Sequence, residues 1–137
     1  LGAFLARHLA KNTLFAVNSD KNINVITPEY DSNGQLLFRD NLVPMVTDRN
    51  VLILISTVNS GKSIRRVVEC AQYYGGKVQG IAAVFSTLEE MEGVPIYSLF
   101  TPEDIPGYAT YSPENCAMCR AGERINALAN SYGLSAL

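Results

Sequence analysis

Val51-Leu52-Ile53-Leu54-Ile55, then Ser56-Thr57-Val58-Asn59-Ser60-Gly61-Lys62, then Ser63-Ile64-Arg65-Arg66-Val67-Val68-Glu69-Cys70-Ala71: these three consecutive stretches decide how the chain folds. The first is apolar without interruption, the mark of a strand covered on both faces in a parallel sheet. The second is polar with one glycine and reads as a loop. In the third the period becomes helical, with Ile64, Val67, Val68 and Ala71 on one face and Arg65, Arg66, Glu69 and Gln72 on the other. Gly75-Gly76 stops that helix, and Gly80 to Phe85 is the next buried strand. The unit is βαβ, which requires parallel strands. Its loop opens a helix N-terminus, where unpaired N–H groups and the helix dipole favour an anion. Gly61 lets the backbone approach a ligand, Ser60 and Ser63 add hydroxyl donors, and Lys62 adds charge. A capped strand-to-helix turn, common to all α/β folds, is the plainer alternative.

Working outward, Leu5, Ala6, Leu9 and Ala10 recur at helical spacing near the N-terminus. Leu14 to Val17 is a short apolar run of strand length. Ile23 to Phe38 reads as a β-hairpin around Asp31-Ser32-Asn33-Gly34, since Asn and Gly tolerate positive φ. Beyond the βαβ unit, Pro95 to Leu99 is one more strand, and the proline-rich stretch Thr101 to Pro113 is a loop. Arg120 to Tyr132 reads as a closing helix with Ile125, Leu128, Ala129 and Tyr132 inward. The expected fold is α/β: a mostly parallel sheet flanked by helices, with a β-hairpin flap, in a single domain over residues 1–137. Leu1 to Ala10 reads as a helix already under way, with no capping residue before it, so an N-terminal portion is expected to be absent.

The chain has 11 basic and 13 acidic residues, a formal charge of −2. Non-specific attraction to nucleic acid or membrane needs a basic surface, so neither is an expected partner. No apolar run approaches the roughly 20 residues needed to span a bilayer, and no secretory signal pattern is present. Three cysteines do not make a disulfide framework, which points to a reducing, cytoplasmic location.

Two families use a loop of this kind. P-loop nucleotide hydrolases carry G-x-x-x-x-G-K-[ST]. Gly61-Lys62-Ser63 fits, but Ser56 stands where the first glycine belongs, and Gly80 to Phe85 leads into Ser86 rather than a magnesium-binding aspartate. The chain resembles the type I phosphoribosyltransferases over a longer stretch. Their signature is a buried strand, two acidic residues, two small or apolar residues, then a phosphate loop opening a helix. Val51 to Leu54 matches the strand, Thr57 and Val58 the two small positions, and Asn59, Ser60, Gly61, Lys62 and Ser63 the loop. The C-terminal part is similar to the orotate branch, in which a serine-leucine pair precedes a C-x-x-C-x-x-G element. Here Ser98-Leu99 is followed by Cys116-Ala117-Met118-Cys119-Arg120-Ala121-Gly122. The hairpin occupies the place of the family's mobile catalytic loop.

The resemblance implies a phosphoribosyl ligand held through its 5′-phosphate by Asn59 to Ser63, a homodimer, and magnesium if the protein is active. Three departures weigh on activity. The acidic pair that accepts from the ribose hydroxyls is replaced by Ile55 and Ser56. Hydrogen bonds to a charged group are worth roughly 1.5–3 kcal/mol each, so losing both costs on the order of 10² to 10⁴ in affinity. An Arg-Lys pair expected after Leu14 to Val17 is replaced by Asn18 and Ser19, with Lys21 near. The diphosphate-binding loop that precedes the family's first helix has no counterpart. The expected function is therefore an orotate phosphoribosyltransferase-like protein with weak or no transfer. An active transferase of the orotate or purine type and a P-loop nucleotide-binding protein are the alternatives.

Other residues weigh less. Cys116 and Cys119 have zinc-knuckle spacing, but a structural zinc takes four ligands, so no metal site is expected and a structural element is the simpler reading. His8, beside Arg7 on the first helix, reads as a surface or packing residue. Arg39, Asp40 and Asp48 flank the hairpin, where the family neutralises diphosphate. A solvated hairpin is the simpler explanation of them, and Glu89, Glu90 and Glu92 read as an acidic surface turn.

Overall fold

A computed structural model of the chain describes residues 1–11, 23–130 and 132–137. It forms two compact units, Leu1–Asp104 and Ile105–Leu137. The expected strand Leu14 to Val17, with Asn18, Ser19 and Lys21, lies outside the described residues.

The first unit opens with helix α1, Gly2–Lys11. A hairpin follows, of β1 (Glu29–Tyr30) and β2 (Leu36–Leu37), antiparallel in register Glu29↔Leu37. It is shorter than Ile23 to Phe38, because Pro28 cannot donate to a ladder and residues 23–28 stay irregular. Its turn is the one the sequence announces. The Asp31 carboxylate accepts from the N–H groups of Asn33 (2.8 Å) and Gln35 (2.7 Å). The Arg39 guanidinium donates to Glu29 (2.8 Å) at the base.

The main sheet has four strands in the order β3-β4-β6-β5: β3 Asn50–Val58, β4 Lys77–Ser86, β5 Glu90–Met91 and β6 Val94–Phe100. The ladders β3–β4 and β4–β6 are parallel, and β5–β6 is antiparallel. The sheet is thus mixed, with the parallel pairings forming its body. The antiparallel edge is made by Glu92-Gly93, both at positive φ (53° and 77°), a combination suited to a two-residue hairpin. Of the expected acidic turn, only Glu89, Glu90 and Glu92 are exposed; Met91 between them is buried.

Between β3 and β4 lies helix α2, Lys62–Tyr73, one residue earlier than the periodicity suggests. Its inward residues are the expected ones: Ile64, Val68 and Ala71 are buried, and Val67 packs against the same core. Under it, Ile53, Ile81 and Ile96 stand in register across three strands, so one row of branched side chains fills the layer between sheet and helix. A smaller cluster of Phe38, Val46 and Cys70, with Leu36, Leu42 and Tyr74 against it, ties the hairpin base to the C-terminal end of α2. There Phe38 and Tyr74 meet edge to face at 5.5 Å.

The expectation of helices flanking the sheet holds for one face. On the other, Leu52, Leu54, Tyr97 and Leu99 are exposed. Gly2 of α1 comes close to Leu54 there: a methyl group placed on Gly2 would lie 3.9 Å from the Leu54 side chain.

The second unit holds a short helix α3, Ala117–Arg120, and a hairpin of β7 (Ala127–Asn130) and β8 (Gly133–Ala136). The expected helix from Arg120 to Tyr132 is not formed. Only its first residue is helical, and the positions from Ala127 pair as strands. The reason is local. The Asn130 side chain accepts from the Tyr132 N–H (2.8 Å) and Gly133 takes φ 117°, which together reverse the chain. Ile125, Leu128 and Tyr132, expected inward, are exposed.

Candidate functional site

β3 does not end at Ile55. Its pairing with β4 continues through Thr57↔Phe85 and Val58↔Ser86, so only Asn59, Ser60 and Gly61 lie between strand and helix. β-branched Thr57 and Val58 suit the extension. The short connection is held from one side by Thr87, whose N–H donates to the Val58 carbonyl (3.0 Å) and whose hydroxyl donates to the Asn59 carbonyl (2.6 Å). Three residues cannot make the long phosphate-wrapping loop of a nucleotide hydrolase. Ser86, at the end of β4, is engaged with its own turn, donating to the Leu88 carbonyl (2.7 Å) and accepting from the Leu88 N–H (3.0 Å).

Gly61 caps α2 in the left-handed region, φ 78°. Its need for glycine comes largely from beneath. A β-carbon there would stand 2.5 Å from the Met91 methyl and 3.1 Å from Leu88. The expectation that Gly61 serves close ligand approach is therefore incomplete: the missing side chain makes room for the β5 edge. The first backbone N–H to bond within the helix is that of Arg65, to the Gly61 carbonyl (3.0 Å). The four N–H groups ahead of it, from Gly61 to Ile64, have no helical acceptor.

Over this end of α2 lies an open depression of about 390 Å³, lined by Ser60, Gly61, Lys62, Arg65, Arg66 and Glu69. Lys62, Arg65, Arg66 and Glu69 follow the three- and four-residue steps that put side chains on one helix face. Sequence reasoning placed Arg65, Arg66 and Glu69 on the solvent side without joining them to the loop. Their spacing from Lys62 was the signal. Arg65 is drawn to Glu92 at the hairpin tip (3.5 Å), while Lys62 and Arg66 have no ion-pair partner among the described residues. The depression can hold an anion of phosphate size against backbone donors, with two uncommitted cations beside it.

Ile55 and Ser56 lie within β3, not in a loop. Ile55 stands in register with Ala83 and Ser98 and packs against the main core, while Ser56 faces the other way and is exposed. Asp48, one of the residues flanking the hairpin, is placed elsewhere. It precedes the start of β3, about 26 Å of extended chain from Val58, and is 3.6 Å from Lys77. Asp40 follows Phe38, which packs at the C-terminal end of α2, about 18 Å of helix away from the loop.

The family's magnesium needs hard oxygen donors beside the ribose. The matched positions offer an apolar side chain and a neutral hydroxyl, and among the described residues no three His, Cys, Asp or Glu side chains are grouped to hold a metal. The residues present do not fit a magnesium site of that kind.

In the second unit, Cys116 precedes α3 and its sulfur accepts from the Cys119 N–H at 3.3 Å. Hydrogen bonding from the Cys119 side chain and backbone holds the Cys116 thiol below the usual range, and the same pairing raises Cys119. Burial raises Cys70. No helix among the described residues is long and apolar enough to cross a membrane.

No family model matches the chain. It is similar to an orotate phosphoribosyltransferase of Thermus thermophilus, 30% identical over 110 residues, which cover 79% of this chain and 57% of that protein. It is also similar to the orotate phosphoribosyltransferases of Carboxydothermus hydrogenoformans (32% over 91 residues, 65% of this chain and 45% of that protein) and Caldicellulosiruptor bescii (31% over 74 residues, 53% and 37%). The chain spans about half the length of the curated relatives it matches. These likenesses support a distant relationship to that group.

Proposed function

We propose that this chain is a phosphoribosyltransferase-like protein that binds a phosphorylated ribose through its 5′-phosphate, with weak or no transfer of the sugar. The observation that carries this reading is the end of α2. Gly61 and Lys62, whose N–H groups have no helical acceptor, open into a depression lined also by Ser60, Arg65, Arg66 and Glu69. Ser60 adds a hydroxyl to that lining. The N–H groups and the two cations act on the same charge, so the phosphate supplies most of the affinity. Beyond the phosphate, Ser56 is an uncharged acceptor on the exposed face of β3, and Ile55 is committed to the core. Ribose positioning is weak as a result, and positioning supplies a large share of such catalysis. Magnesium is no part of this reading. Its use belongs to the alternative of an active enzyme, as does the relatives' base orotate. A homodimer in the cytoplasm completes the proposal.

Titration with ribose 5-phosphate, following backbone amide shifts, tests the site. The largest shifts are expected from Asn59 to Ser63, with inorganic phosphate producing most of the same pattern. Largest shifts elsewhere refute the site. Orotate consumption with 5-phosphoribosyl-1-diphosphate and magnesium tests the activity. Turnover in the usual enzyme range of about 1–10³ s⁻¹ refutes weak transfer.

A further inference from the structure

Two of the three cysteines are placed together and reachable. Cys116 and Cys119 are three residues apart across the first turn of α3, and the Cys116 sulfur lies 3.3 Å from the Cys119 amide nitrogen. Cys116 is half-exposed, Cys119 exposed and Cys70 buried. The pair makes no part of the phosphate site, and with only two ligands it does not make a structural zinc centre.

We propose that Cys116 and Cys119 form a reversible dithiol–disulfide pair that reacts with low-molecular-weight disulfides, with Cys116 as the attacking thiol and Cys119 as the resolving one. The roles follow from the hydrogen bonds. Cys119 donates to the Cys116 sulfur from its backbone and from its thiol, which favours the Cys116 thiolate and keeps the Cys119 proton in place. Glu123 opposes this, its charge disfavouring the Cys116 thiolate, but it is the smaller influence. In the first step the Cys116 thiolate attacks one sulfur of the external disulfide, that S–S bond breaks, and one thiolate leaves. In the second, Cys119 loses its proton and attacks the Cys116 sulfur, and the second external thiolate leaves. Two protein thiols are oxidised and one external disulfide is reduced to two thiols.

The test takes the whole reduced chain through a series of reduced-to-oxidised glutathione ratios, quenches with acid, alkylates the remaining thiols and weighs the peptide carrying both cysteines. The expected product is that peptide, unalkylated and lighter by two hydrogens, with Cys70 still reduced. The Cys119→Ser variant is expected to stop at a glutathione mixed disulfide on Cys116. Cys116→Ser is expected to react more slowly than Cys119→Ser by a factor of a few, because the thiol that remains lacks the hydrogen bonds that favour the Cys116 thiolate. Failure of the wild-type chain to form the internal disulfide at any ratio overturns the proposal, and that measurement needs no variant. Equal rates for the two single variants overturn the assignment of roles.

Discussion

The two units of this chain are held by different forces. In Leu1–Asp104, Val68 and Ile81 have no accessible surface, and an isoleucine row spans three strands beneath α2. In Ile105–Leu137 no described residue is buried; Leu134 is 80% exposed and Tyr132 fully so. Burial of apolar surface, at about 25 cal/mol per Å², stabilises the first. Backbone ladders and short-range side-chain bonds shape the second: the Cys116 cap, the Asn130 turn and the β7–β8 pairing. Such bonds are worth about 1 kcal/mol each net of water. The difference shows in where each half places its reactive groups. The first places its proposed anion site at the end of a helix packed on the core, and the second offers exposed thiols on a locally organised turn.

Substitutions can break or sharpen this contrast. Ile81→Ala, at the centre of the isoleucine row, is expected to cost about 2–5 kcal/mol, read as a lower urea midpoint at unchanged slope. A loss below about 1 kcal/mol would mean that the row is not the core of the unit. Gly61→Ala is expected to cost about 1–3 kcal/mol, from the left-handed backbone and from contact with Met91. On a Met91→Ala background the same change should cost less, because only the backbone contribution remains. An undiminished cost would remove the packing explanation for this glycine. Leu134→Ala is expected to move the main transition by no more than about 0.5 kcal/mol, since its side chain is already in water. A loss of 2 kcal/mol or more in circular dichroism melts would show that the second unit buries this leucine in solution.

How far the residues could be read follows the same division. In the first unit the pattern was strong. Five consecutive apolar residues, a glycine-bearing loop and a helical period fixed β3, α2 and β4 and named Ile64, Val68 and Ala71 as core. The mistakes there were at edges. β3 runs three residues past the end of its apolar run, because pairing with β4 tolerates Ser56 and Thr57. Met91, buried between exposed glutamates, carries no sign of its burial in the neighbouring residues. In the second unit Ile125, Leu128 and Tyr132 mimic a helical stripe, but nothing packs on that stripe to reward it. The Asn130 turn and Gly133 decide the outcome instead.

The candidate site divides along similar lines. Asn59 to Ser63 were legible as the junction that opens a helix N-terminus, because glycine and small polar residues between a strand and a helix leave N–H groups unpaired. That Ile55 and Ser56 carry no carboxylate was equally plain from residue type. Chain order carries this information, since strand, loop and helix are local and their periods are written in adjacent residues. Only the tertiary structure joined Lys62, Arg65 and Arg66 to the loop as one depression and gave Glu92 to Arg65. It alone set Met91 beneath Gly61 and moved Asp48 to the far end of β3. These relations depend on how separate segments cross in space, and that is fixed by the burial of the isoleucine row and by strand register, which no single stretch of sequence contains.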